Sequence, residues 1–107
     1  MKENIKRINN QELDNVALIE YKSYNFKNDE SKHKLYGVIA QEVQGAGLGE
    51  LVYTNEDGSL AVDYTSLTML KLAKLTQDYD KLLSFCVHLQ NKVTEIEEKI
   101  KKLENKD

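Results

Sequence analysis

The side chains able to do chemistry in this sequence are few and scattered. His33 and His88 have no second ligand at metal-binding spacing, so both are expected on the surface or on a helix face, and no metal or other cofactor is expected. Cys86 is the only cysteine and has no internal disulfide partner; it reads as a small buried hydrophobe rather than a reactive thiol. Gly45-Ala46-Gly47-Leu48-Gly49 has the look of a phosphate loop, but the P-loop lysine and the Rossmann spacing are missing, and a flexible connector is the better reading. Tyr21, Tyr24 and Phe26 could stack bases only beside a basic field. With 15 basic against 18 acidic residues there is none, so they are expected in the core and no nucleic-acid partner is expected. Nucleophile, base and oxyanion donors nowhere occur together, which disfavours a free-standing enzyme.

The elements that would position these residues divide the chain in two. At 107 residues and 40% hydrophobic, the chain can build only a modest core alone, which points toward assembly. No apolar run approaches the ~20 residues that span a bilayer, and charge follows Met1, so neither a membrane partner nor a signal peptide is expected. Proline is absent and the five glycines all lie between Gly37 and Gly58. Residues 1–64 therefore read as a small mixed α/β head and residues 65–107 as one uninterrupted helix, an α+β arrangement. In the head, Asn10 is expected to cap a short helix near 11–17, with Leu13, Val16 and Ala17 on one face. Ile19 to Phe26 reads as a strand with Tyr24 and Phe26 turned inward, and the polar stretch 27–34 as a loop. Tyr36 to Ala40 suits a short buried strand, followed by a helical turn over 41–44 that Gly45 ends. Asp57-Gly58 between Leu51–Thr54 and Leu60–Tyr64 predicts a hairpin.

The helix carries the strongest periodic signal. Alternating steps of three and four residues place Leu72, Tyr79, Cys86, Val93 and Ile100 at heptad position a, and Leu75, Leu82, Leu89, Ile96 and Leu103 at d. That spacing is a coiled-coil seam, narrower than the stripe of a lone amphipathic helix. Val93, Ile96 and Ile100 put β-branched residues at both a and d, which favours trimers or tetramers over dimers; a parallel trimer is the expectation. Lys92 and Lys99 at g, with Glu97 and Glu104 at the following e positions, suit interchain ion pairs that set register more than stability. Leu83 at e and Phe85 at g widen the apolar face. At ~1.5 Å per residue the seam would run roughly 45–50 Å.

Gly37-Val38-Ile39-Ala40-Gln41-Glu42-Val43, then Glu50-Leu51-Val52, then Asp57-Gly58, then Val62-Asp63-Tyr64 and Leu67 resemble, in order and spacing, the self-cleaving intramolecular chaperone domain of phage endosialidases, tailspikes and tail fibres. The resemblance covers nearly the whole chain. Gly49 stands where that family usually has proline.

The resemblance implies a homotrimeric chaperone that follows a β-rich fibre or spike in the same polypeptide, brings three chains into register, and then cuts itself off. It would act in the host cytoplasm during virion assembly, and the released part would be absent from the mature virion. The family cleaves with a serine and a lysine in a motif resembling S-D-x-R-x-K-E-N-I. Lys2-Glu3-Asn4-Ile5 matches its end, which assigns the catalytic lysine to Lys2 and places the serine five residues earlier, outside this chain. Met1 is accordingly read as the start of a truncated chain that is itself proteolytically inert. The alternatives are a plain coiled-coil trimerisation module without cleavage, and the related self-cleaving domain of a membrane-tethered transcription factor.

Overall fold

The computed structural model describes residues 1–106. Two compact units emerge, one over Met1–Lys74 and one beginning at Leu75. The first contains helix α1 (Asn10–Val16), strands β1 (Lys22–Tyr24) and β2 (Leu35–Gly37), helix α2 (Ala40–Gly45), a 3-10 turn (Gly49–Leu51), and strands β3 (Val52–Thr54) and β4 (Leu60–Val62). Helix α3 (Tyr64–Glu104) follows, 41 residues long and unbroken by proline or glycine.

The strands form two separate antiparallel hairpins, β1 with β2 and β3 with β4. In the second, Gly58 N–H donates to the Asn55 carbonyl at 3.0 Å and Asn55 N–H to the Ser59 carbonyl at 2.8 Å. This is a type I turn closed by a left-handed residue, and Gly58 at φ 87° supplies that residue without steric cost.

α1 begins one residue before the expected start. Asn9, not Asn10, is the cap: its Oδ1 accepts the Glu12 N–H at 2.8 Å. Leu13 and Val16 face the core as expected, whereas Ala17 is exposed. The expected strand over 19–26 shrinks to three residues, because the register Lys22↔Gly37 to Tyr24↔Leu35 is all that the polar loop after it leaves to pair. Ile19 is buried just after α1, held by its N–H to the Val16 carbonyl. Tyr21 and Phe26 are exposed, and Tyr24 is half-buried with its ring edge-on to Phe26 at 5.7 Å. The expectation that all three aromatics belong to the core is thus corrected. A three-residue hairpin has too little width to carry them inward.

The glycine run is also corrected. Leu48 N–H reaches the Val43 carbonyl at 3.2 Å and Gly47 N–H the Gln44 carbonyl at 3.0 Å, with Gly47 at φ 84°. That pair of bonds is a Schellman cap, and the apolar contact that accompanies it joins Leu48 to Val43 in the core. α2 does end at Gly45 as expected, but the left-handed residue that closes its cap is Gly47, and the segment is an ordered turn rather than a flexible connector. Leu48 at φ −113°, ψ 37° lies outside the extended region that a following proline imposes, so glycine at 49 goes with the shape of this turn.

The core is small. Val16, Ile19, Val38, Val43, Leu48, Val62 and Leu67 form one cluster, with Ala40, Ala46, Leu51, Val52 and Leu70 packed against it. Leu67 on the first turn of α3 is fully buried, which ties the helix start to the hairpins.

Candidate functional site

Lys2 lies in the N-terminal segment, in which residues 1–9 are all exposed and precede the first helix. His33 and His88 are exposed as well. Among the described residues no group of three His, Cys, Asp or Glu side chains could hold a metal ion, and no helix is long and apolar enough to cross a membrane.

The sequence motifs, spread from Gly37 to Leu67, meet in the first unit. Tyr64 Oη accepts the Val38 N–H at 3.2 Å and faces the Val38 carbonyl at 3.4 Å, so the first residue of α3 is latched to the chain leaving β2. Gly37 makes room for that latch: a Cβ there would stand 2.5 Å from Tyr64 Oη and 3.4 Å from Tyr24 Cε1. Ile39 is the residue before α2, and its carbonyl accepts the N–H groups of Glu42 and Val43 at 2.9 and 3.1 Å. Ala40 packs against the core and Val43 is completely buried. Glu42 projects outward, where its Oε1 meets Lys22 Nζ of β1 at 2.5 Å and raises the lysine above its ordinary value. Glu50 is exposed on the 3-10 turn, while the Leu51 carbonyl accepts the Asp63 N–H at 2.7 Å and Val52 pairs with Val62. Beside the latch is an open groove of about 400 Å³ lined by Tyr24, Ile39, Gln41, Tyr53, Ala61 and Tyr64.

Asp63 caps α3. Its Oδ1 accepts the Ser66 N–H at 3.1 Å, and that bond is the first cause holding its carboxyl below the usual aspartate range. Asp29 and Asp57 are lowered in the same direction, chiefly by the hydroxyls of Ser31 and Ser59. A carboxyl with a lower pKa in the folded state binds fewer protons there than in the unfolded chain. Its stabilisation is complete above the unfolded value and is lost as pH falls through the folded one. The thermal midpoint is therefore expected to be flat near neutrality and to fall below about pH 4. Asp63→Asn, which can still cap but does not titrate, should make that acid slope shallower; a slope identical to wild type would contradict the assignment.

On α3 the ten seam residues, Leu72, Leu75, Tyr79, Leu82, Cys86, Leu89, Val93, Ile96, Ile100 and Leu103, are all exposed. The large ones retain between 46% and 70% of their surface, so the described residues leave the stripe largely open. Leu83 and Phe85 beside it are equally open. Lys92 Nζ lies 3.8 Å from Glu95 Oε2 on its own helix, a local pair that competes with any interchain partner.

Half of the chain, residues 1–53, matches the family model described as chaperone of endosialidase. The chain belongs to this family. No curated protein matches it. The part matched to the chaperone of endosialidase family runs from Met1 through both short helices and the first hairpin into β3, whereas Asp63, Tyr64 and α3 lie beyond it.

Sequence reasoning missed two lysines that tie α3 to α1 and to the segment leaving it. Lys71 Nζ donates to the Ile19 carbonyl and stands 4.6 Å from the centre of the Tyr21 ring, and burial pushes its ammonium below the ordinary lysine value while Glu20 acts the other way. Lys74 Nζ is 3.7 Å from Asp14 Oδ1. Neither was legible, since one partner is a backbone carbonyl 52 positions away.

Proposed function

We propose that the chain is the C-terminal intramolecular chaperone of a phage tail fibre or tailspike, that it trimerises through α3, and that self-cleavage N-terminal to Lys2 releases it. The observation that carries the reading is the uncovered heptad seam on α3, in a chain whose first half matches the chaperone of endosialidase family. A stripe of ten apolar side chains in water is an interface in want of a partner. Its heptad spacing suits a parallel bundle of copies of itself, and its β-branched a and d residues suit three.

The physical logic of the chaperone follows from topology. Trimeric β-fibres pair strands from different chains, so register errors are the main hazard, and a helical bundle with local contacts forms quickly and holds three chain ends together. Once the fibre is folded and the bundle is cut away, the fibre has no guide for refolding and its persistence becomes kinetic.

In the cleavage step the upstream serine hydroxyl attacks the carbonyl carbon of the residue before it. Lys2 Nζ takes the hydroxyl proton and returns it to the departing serine nitrogen as the peptide C–N bond breaks. The resulting ester is hydrolysed by water, leaving serine as the first residue of the released part. This work belongs in the host cytoplasm during virion assembly, with the released chaperone absent from the finished particle.

In a precursor that carries the upstream serine, Lys2→Ala is expected to abolish processing, with only the full-length band on a denaturing gel. Normal processing of that variant would refute the role of Lys2. A wild-type precursor that stays uncut would favour a plain coiled-coil trimerisation module.

A further inference from the structure

We infer that the open groove beside the Tyr64 latch receives the N-terminal arm, residues 1–9, of a second copy of the chain, with Ile5 in the groove and Lys6 and Arg7 against the β3–β4 turn. The contact rests on the self-association proposed above and adds to the α3 seam a second place where copies meet.

The groove, about 400 Å³, takes its walls from both hairpins and from the start of α2. Val38 and Val62 contribute to it from the buried core, whereas Phe26 and Tyr53 line it while keeping 58% and 54% of their surface. Aromatic rings left in water around a concave, largely apolar site of this size gain by being covered. One edge of the groove adjoins an acidic turn. Thr54 pairs with Leu60, a lining residue, and Glu56 and Asp57 lie in the turn between them, with no cation anywhere from 52 to 62. The Ser59 hydroxyl, bonded to Asp57, holds that carboxyl below the usual aspartate range, so it is ionised at neutral pH.

The arm has the complementary chemistry. It carries Lys2, Lys6 and Arg7 against the single carboxylate of Glu3, and its Ile5 keeps 80% of its surface. No lining residue of the groove comes from residues 1–9, so the chain's own arm does not fill it. The arm is anchored only at its far end, where Asn9 caps α1. Nine residues of extended chain span up to about 30 Å, and a parallel bundle brings the same end of each copy together, which raises the concentration of one arm around the groove of the next. Extended segments commonly dock in aromatic-lined grooves in this way. The apolar anchor supplies most of the affinity, and the exposed charges choose the direction in which the arm lies.

The test mixes a chain carrying Ile5→Cys with a chain carrying Ala61→Cys, oxidises the assembled protein and identifies the linked peptides by mass; Cys86, present in both, gives a different peptide. A disulfide requires Cα atoms within about 7 Å, so the link reports seating in the groove rather than mere proximity. A peptide pair joining positions 5 and 61 is expected, and between singly substituted chains it can form only across copies. Adding Arg7→Glu to the first chain should lower the yield about fivefold at low salt, and adding Glu56→Lys to the second should restore it. Sedimentation of the same samples gives the assembled mass. A trimer without the link would overturn this inference and leave the seam standing. A link found only within a chain carrying both cysteine substitutions would overturn it too, since the chain's own arm would then be the occupant, and so would a yield that Arg7→Glu does not move. A monomer would overturn the self-association reading and this contact together.

Discussion

Ile96→Asp is expected to leave the protein as a 12.3 kDa monomer at micromolar concentration, with Ile100→Asp doing the same. In the single chain Ile96 and Ile100 keep 55% and 49% of their surface, so the substitution removes little from the folded protomer itself. In a parallel bundle the same position brings three side chains onto one axis. Three carboxylates there must be buried close together or protonated, and three apolar side chains are lost from the layer. The penalty is on the order of 5–10 kcal/mol per trimer, enough to reverse assembly at working concentrations. Because the core cluster contains no residue beyond Leu70, the head should keep its fold. An unchanged assembled mass would show that the seam has been placed in the wrong register.

Gly37→Ala should destabilise the first unit by on the order of 2 kcal/mol, read as a lowered denaturation midpoint. The added Cβ would sit 2.5 Å from Tyr64 Oη and 3.3 Å from Tyr64 Cζ, so the ring must move. When it moves, the Val38 N–H loses its acceptor, and Val38 belongs to the core. Tyr64→Phe removes the atom nearest the new methyl group, so Gly37→Ala combined with Tyr64→Phe should cost less than the sum of the two single changes. Simple additivity would mean that Gly37 and Tyr64 are not coupled as the geometry requires.

These two positions also show how much the sequence could tell. The unbroken helix was legible because its apolar spacing depends only on neighbours along the chain, and Leu72 to Leu103 keep that spacing without a break; that copies of the chain meet along it is the proposal. The hairpin around Asp57-Gly58 was legible for a similar reason, since the turn is set by its own residues. The cap of α1 was missed by one residue because Asn9 and Asn10 are equally competent caps in isolation, and only the bond to Glu12 separates them. Gly45, Gly47 and Gly49 could each have ended α2; the left-handed residue is Gly47, a choice fixed by Leu48 reaching Val43 in the core.

The site was legible as a set of motifs but not as a set of contacts. Gly37 and Tyr64 belong to separate motifs, and their proximity follows from the path of the whole head. Asp63, followed three residues later by Ser66, did carry a local capping signal that could have been read. Tyr21 and Phe26 went the other way: aromatic character pointed inward, but a three-residue hairpin gave them nothing to pack beneath.

Sedimentation equilibrium of the chain at micromolar concentration tests the account most directly. A mass three times that of the 12.3 kDa chain is predicted, and a monomer or a dimer would contradict the trimeric seam on which the chaperone reading rests.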